Sequence, residues 1–83
     1  MYIHIGSGYV LRRDEIIGIF DMDNTTSSHI TRDYLNAAEK RKAITNTAED
    51  IPKSFIVTGT GDVYLSQLMT QTLLKRSQVQ GIE

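Results

Sequence analysis

The sequence predicts a small α+β domain, in which an antiparallel sheet of about five strands packs against one central helix and a short C-terminal helix. Short β-branched and aromatic runs, separated by glycine-containing turns, recur in both halves of the chain and are typical of strands joined by hairpins. One amphipathic stretch lies between the two sets of runs. The element order is therefore β-β-β-α-β-β-α, which is the order of an antiparallel α+β domain.

The N-terminal third predicts three strands. Residues 2–5 are β-branched and aromatic and indicate the first strand. The glycines of residues 6–8 allow the positive φ of a tight turn, and residues 9–11 begin a return strand. Residues 12–15 are charged, so we expect an exposed strand end or a short turn there. Residues 16–20 are short, β-branched and apolar apart from one glycine, which favours a buried strand over a helix.

The central helix is predicted over residues 28–42. Its apolar side chains fall at i, i+4, i+7 and i+8, which is one face of an amphipathic helix; they are Ile30, Tyr34, Ala37 and Ala38. Three consecutive cations follow in the last turn, where the helix dipole favours positive charge.

The C-terminal half predicts a hairpin and a second helix. Residues 45–53 are a polar loop that ends near a proline, which has no N–H for a ladder. Residues 54–58 are the clearest strand in the chain, residues 59–62 form a hairpin turn, and residues 63–65 return. A short helix is expected over residues 70–76, capped by its first threonine.

Length, cysteine content and net charge exclude several kinds of site and function. Residues 1–83 are long enough for one domain, and a domain of this size buries only about 60% of its unfolded surface. The chain has no cysteine and two histidines, so we expect no disulfide, metal or cofactor, and self-association remains as the source of added stability. The formal net charge of −1 excludes a uniformly basic nucleic-acid binder. With neither a signal-peptide pattern nor a membrane-length apolar run, a cytoplasmic location without membrane contact is expected.

One stretch suggests an enzyme. Asp21, Asp23 and Thr25 form Asp-x-Asp-x-Thr after an apolar strand, as in aspartate-based phosphatases of the haloacid-dehalogenase type. The chain that follows is too short for the remaining machinery, because a single parallel βαβ unit takes about 30 residues or more. We therefore expect an acidic turn before a helix, where negative charge is stabilising, and no catalysis.

In order and spacing, several segments resemble the RemA/RemB family of bacterial extracellular-matrix regulators, and most closely its RemB members. The resemblance covers nearly the whole chain, while the central helix and residues 43–51 match only in character. The segments that carry the resemblance are Met1–Gly6, Arg13–Asp14, Ile16–Asp21, Pro52–Ser54, Ile56–Thr58 and Thr72–Arg76.

The resemblance implies a transcriptional regulator of biofilm matrix genes. Proteins of this family form doughnut-shaped rings around which DNA is thought to wrap, and their subunit is similar to LytTR-type DNA-binding domains. Their DNA contact uses an arginine-rich loop before the strand that matches residues 54–58. In this chain the matching loop is residues 48–53. Acidic and apolar residues, including Glu49 and Asp50, stand where RemA has a pair of arginines, and Lys53 is the one cation of the loop.

Two functional hypotheses follow. In the first, a homo-oligomeric ring repeats a small basic patch and so binds the DNA backbone, with candidate residues Arg12, Arg13, Lys53, Lys75 and Arg76. In the second, the same fold is an oligomeric protein-protein interaction module without DNA binding, which the acidic loop favours. The cations of residues 40–42 are assigned to the helix C-terminus and to solubility.

Overall fold

The structure, a computed structural model, describes residues 2–22 and 29–78, and of residue 78 only the backbone. It contains six strands, which are β1 (Tyr2–Gly6), β2 (Tyr9–Arg12), β3 (Ile16–Asp21), β4 (Ile44–Asn46), β5 (Ser54–Thr58) and β6 (Val63–Ser66). It also contains two helices, α1 (His29–Lys40) and α2 (Thr70–Gln78), and a 3-10 turn over Arg13–Glu15. Neither helix is long and apolar enough to cross a membrane, within the ranges described.

The strands form two sheets. The N-terminal hairpin, β1 and β2, is an antiparallel sheet of its own, and the other strands form a large sheet in the order β3-β5-β6-β4. The α+β class and the two helices are confirmed, but the prediction of one antiparallel sheet of about five strands is wrong. The N-terminal hairpin is separate, and β4 pairs with β6 in parallel.

β4 lies in the segment that was expected to be a polar loop. The backbone N–H of Val63 donates to the carbonyl oxygen of Ala43 at 2.8 Å, and Ile44 packs in the core beside it. β4 has three residues and one large apolar side chain, which is too short to show the alternation of apolar and polar residues typical of a strand. Its pairing with β6, rather than its local sequence, therefore defines it.

The large sheet is covered on both faces, and β5 supplies side chains to each. Phe55 and Val57 face α1, while Ile56 between them faces the N-terminal hairpin and α2, as successive residues of a strand must. The core on the α2 face is made of Ile3, Ile5, Leu11, Ile56 and Leu73. The core on the α1 face is built on the buried residues Ala38, Phe55 and Val63.

A bulge interrupts β3. Ile16 pairs with Thr58 and Gly18 with Val57, so Ile17 is an extra residue without a partner in β5. The ring of Phe20 lies over Gly18, where an added Cβ would be 2.6 Å from a ring carbon. The glycine therefore makes room for the Phe20 ring.

Buried hydroxyl groups join the elements. The Oγ of Ser54 donates to the carbonyl oxygen of Leu68 at 2.8 Å and lies 2.9 Å from the Oγ1 of Thr70, at the start of α2. The Oγ1 of Thr47 donates to the carbonyl oxygen of Leu65 at 2.7 Å. Across the described ranges, no buried side-chain nitrogen or oxygen lacks a hydrogen-bond partner.

The apolar face predicted for α1 is only partly buried. Ala38 is fully buried, but Ile30 is 79% exposed and Tyr34 is 39% exposed. The helix packs on the sheet near its C-terminal end and leaves the apolar side chains of its N-terminal half at the surface. Ala37 is exposed as well, so Ala38 alone of the four predicted face residues is buried.

Candidate nucleic-acid interface

Four of the five predicted DNA-contacting cations come together in the fold. The Nε of Arg13, in the 3-10 turn, donates to the carbonyl oxygen of Ser77, in the last turn of α2. Arg12 comes directly before Arg13 in the chain, and Lys75 and Arg76 come directly before Ser77. We call Arg12, Arg13, Lys75 and Arg76 the basic corner.

Two arginines of the basic corner also hold the fold together. The Nη1 of Arg76 donates to the carbonyl oxygen of His4 at 2.8 Å, so this side chain ties α2 to β1. The bond from Arg13 to Ser77 ties α2 to the 3-10 turn. A guanidinium has five N–H donors, so each arginine keeps donors that can reach a phosphate.

The basic corner carries an excess of positive charge. Arg12 forms an ion pair with Asp14 at 2.9 Å, and both side chains are more than half exposed. An exposed pair of this kind stabilises the fold by about 1 kcal/mol or less. Glu15 is the second acid of the 3-10 turn, and α2 contains no acidic residue among Thr70–Gln78. Among the described residues of these two segments, two acids therefore accompany four cations.

Lys53 lies apart from the basic corner. Its backbone N–H donates to the carbonyl oxygen of Ser66, and its carbonyl oxygen accepts from the N–H of Met22, so it sits where β5 begins. The N–H of Gly59 donates to the carbonyl oxygen of Glu15, which places the 3-10 turn where β5 ends. The extended chain between Lys53 and Gly59 spans about 20 Å. The predicted DNA-contacting cations of one subunit therefore lie in two separate places.

The loop over residues 48–53 has an acidic surface. The backbone N–H of Glu49 donates to the Oε1 of Gln67 at 2.8 Å, and that of Ala48 to the Oδ1 of Asn46 at 2.9 Å. These bonds position the loop while leaving the side chains of Glu49 and Asp50 exposed. Lys53 thus has two carboxylates close to it in the chain.

The phosphatase motif is only partly described. Asp21 ends β3, whereas Asp23 and Thr25 lie outside the described residues. The neighbouring strand β5 is antiparallel to β3, with Ser54 opposite Asp21. A parallel sheet would collect catalytic side chains at one edge, and this pairing does not. Within the described ranges, no group of three or more acidic, histidine or cysteine side chains could hold a metal ion.

A surface that the sequence analysis missed lies beside β3. Ile17 is 71% exposed and Phe20 is 40% exposed, next to the exposed Ile30 and Tyr34 of α1. We call these four residues the apolar edge. Two adjacent isoleucines that interrupt the alternation of a strand, here residues 16 and 17, are the sequence signal of the bulge that exposes it.

Comparison with known proteins identifies the family. Residues 2–76 match the RemA-like family, described as extracellular matrix regulatory protein A-like. The chain is also 35% identical over 78 residues to extracellular matrix regulatory protein B of Bacillus subtilis (strain 168), covering 94% of this chain and 91% of that protein. The range that matches the family, residues 2–76, spans all six strands described above, α1 and most of α2. The chain therefore belongs to the RemA-like family of extracellular matrix regulatory proteins.

Proposed function

We propose that this chain is a cytoplasmic, ring-forming homo-oligomeric regulator that contacts the DNA backbone through its basic corner. A regulatory role follows from the family. The observation that carries the proposal of DNA contact is the bond between Arg13 and Ser77, which gathers four cations from two distant parts of the chain. By its resemblance to the family, the subunit is expected to be LytTR-like.

The electrostatics require assembly. Each phosphate that a cation neutralises releases counterions, so affinity grows with the number of contacts. A single subunit with a net charge of −1 offers only a few such contacts. A closed ring repeats the basic corner once per subunit, and the contacts then act together along one DNA path. Backbone contact of this kind needs no recognition of base edges.

A second candidate function is an oligomeric protein-protein interaction module that does not bind DNA. The exposed Glu49 and Asp50 beside Lys53 favour it, because carboxylates repel a phosphate backbone. In this case the acidic loop, rather than the basic corner, would contact a partner protein. The two candidates share the fold and the assembly and differ in the surface that is used.

A DNA mobility shift at low and at moderate salt tests the proposal. We expect weak binding that falls steeply as salt rises. Lys75→Gln should lower the slope of log affinity against log salt by about one for each phosphate that this side chain neutralises in the wild type. Lys40→Gln is the matched control, because Lys40 is an exposed cation at the end of α1 and outside the basic corner. An intact oligomer that gives no shift at low salt would leave only the second candidate.

A further inference from the structure

We propose that copies of this chain join by pairing β3 of one copy with β2 of the next. This inference rests on the assembly required by the proposed function and names the surfaces that form it. The relevant observations are an unprotected strand edge, two grooves that flank it, and a second open edge elsewhere on the same chain.

β3 is an edge strand with little to block it. In the described part of the chain it pairs with β5 alone, and residues 16–20 contain no charge and no proline. Soluble proteins normally blunt such edges with lysine, proline or a covering element. The bulge at Ile17 disturbs only the beginning of β3, since residues 18–20 pair with β5 in regular register. A regular uncharged edge of three residues is therefore available to another strand.

Grooves flank this edge on both faces of the large sheet; the one on the α1 face is mainly apolar, and the one on the α2 face also includes Arg13 and Ser77. On the α1 face a groove of about 350 Å³ is lined by Phe20, Ile30, Tyr34, Phe55 and Val57. On the α2 face a groove of about 350 Å³ is lined chiefly by Ile16, Ile19, Leu74 and Arg13. Ile17 borders both grooves. A strand added to β3 would direct alternate side chains into one groove and then the other.

β2 of a second copy fits these requirements. It is four residues long, its other edge is unpaired within the described residues, and its first two residues, Tyr9 and Val10, are each 43% exposed. Successive side chains of a strand point to opposite faces, so Tyr9 and Val10 would each enter a different groove. A two-stranded sheet is marginal by itself, and the N-terminal hairpin would gain a third strand.

This pairing is head to tail. Every copy has one β3 edge and one β2 edge, so each copy binds two neighbours through different surfaces and the contact propagates until a ring closes. A two-fold dimer that pairs β3 with β3 would use one surface only. A variant blocked at β2 would still form the two-fold dimer through β3, whereas it would leave the head-to-tail ring unable to form.

Blocking variants and their mixture test the pairing. We expect Ile17→Lys and Val10→Lys each to reduce the mass in solution from an oligomer to a monomer, measured at micromolar concentration with circular dichroism to verify folding. A mixture of the two should form a one-to-one dimer and nothing larger, because each variant keeps one intact edge. Ile51→Lys is the matched control, since Ile51 is 74% exposed but lies outside both surfaces, and it should retain the wild-type mass.

Three results would overturn the pairing. They are an Ile17→Lys variant of wild-type mass, a Val10→Lys variant that still self-associates, and a mixture that stays monomeric. A misfolded variant could not complement the other, so dimer formation in the mixture also confirms that both are folded. A monomeric wild type would overturn the proposed function itself, whereas an oligomeric wild type with unaffected variants overturns only the pairing of β3 with β2.

Discussion

The Oγ of Ser66 donates a hydrogen bond to the carbonyl oxygen of Ile5 at 2.6 Å, in the interior between the two sheets. The same Oγ accepts the backbone N–H of Leu68 at 3.1 Å. Both Ser66 and Ile5 are completely buried. A single hydroxyl thus joins the N-terminal hairpin to the large sheet and orients the segment that leads into α2.

Ser66→Ala should destabilise the fold by about 1–3 kcal/mol, because it leaves a buried carbonyl and a backbone N–H without their partner. Chemical denaturation at one fixed protein concentration measures the effect, since assembly makes apparent stability depend on concentration. Ser77→Ala is the matched control. Its Oγ donates to the carbonyl oxygen of Leu74 at an exposed site, so a change within about 0.5 kcal/mol is expected. Equal effects of the two variants would contradict this role of Ser66.

Two glycines of one turn should respond in opposite ways to alanine. Gly61 has a φ of +92°, which costs a residue with a Cβ about 1–2 kcal/mol, so Gly61→Ala should destabilise the fold. Gly59 is not in the positive-φ region, and an added Cβ would meet only the Glu15 carbonyl oxygen at 3.9 Å. Gly59→Ala should be neutral or slightly stabilising. Thermal unfolding of both variants checks the difference in sign.

Variants of two neighbouring cations in the basic corner should differ in stability, because only one of the two side chains holds the fold together. Arg76→Ala removes the bond to the His4 carbonyl oxygen and should lower the free energy of unfolding by about 1 kcal/mol. Lys75→Ala removes the same charge from an exposed position and should change it by less than about 0.5 kcal/mol. Urea unfolding of both variants tests this. If Lys75→Ala were the more damaging, the structural assignment of Arg76 would be wrong.

Phosphatase activity should be absent. We expect wild type and Asp21→Asn to give the same background rate with Mg²⁺ and a chromogenic phosphate ester, because β3 has an antiparallel neighbour at this position. Magnesium-dependent hydrolysis that disappears in Asp21→Asn would establish an aspartate nucleophile. A matched Asp33→Asn variant, altered on the exposed face of α1, would show whether any loss is specific to Asp21.

Local patterns were sufficient to predict most of the elements. The β-branched and aromatic run of residues 54–58 and the glycine turns predicted hairpin strands, and the apolar period of the central segment predicted the helix that the structure has as α1 over His29–Lys40. Pairing between distant segments was not predictable. β4 depends on β6, and the separation of the two sheets depends on α2 and the hydroxyl contacts between layers. Local sequence carries little information about such partners.

The candidate site was predicted in part for a related reason. Arg12, Arg13, Lys75 and Arg76 were selected as charged pairs, but their proximity follows from the packing of α2 against β1 and β3. The position of Lys53 at the other end of β5 could not be read from its charge. The apolar edge was missed because Ile30 and Tyr34 have the spacing of core residues, and only the tertiary structure shows that they remain exposed.

The bond between Arg76 and the His4 carbonyl oxygen has a consequence for synthesis of the protein. These residues are 72 positions apart, so β1 emerges from the ribosome long before the helix that covers it. Until α2 is translated, the core that the N-terminal hairpin shares with Ile56 lacks Leu73, and nascent chains are exposed to aggregation and chaperone binding. Productive folding is therefore completed only after translation of α2, and a stalled ribosome would hold an incompletely folded chain.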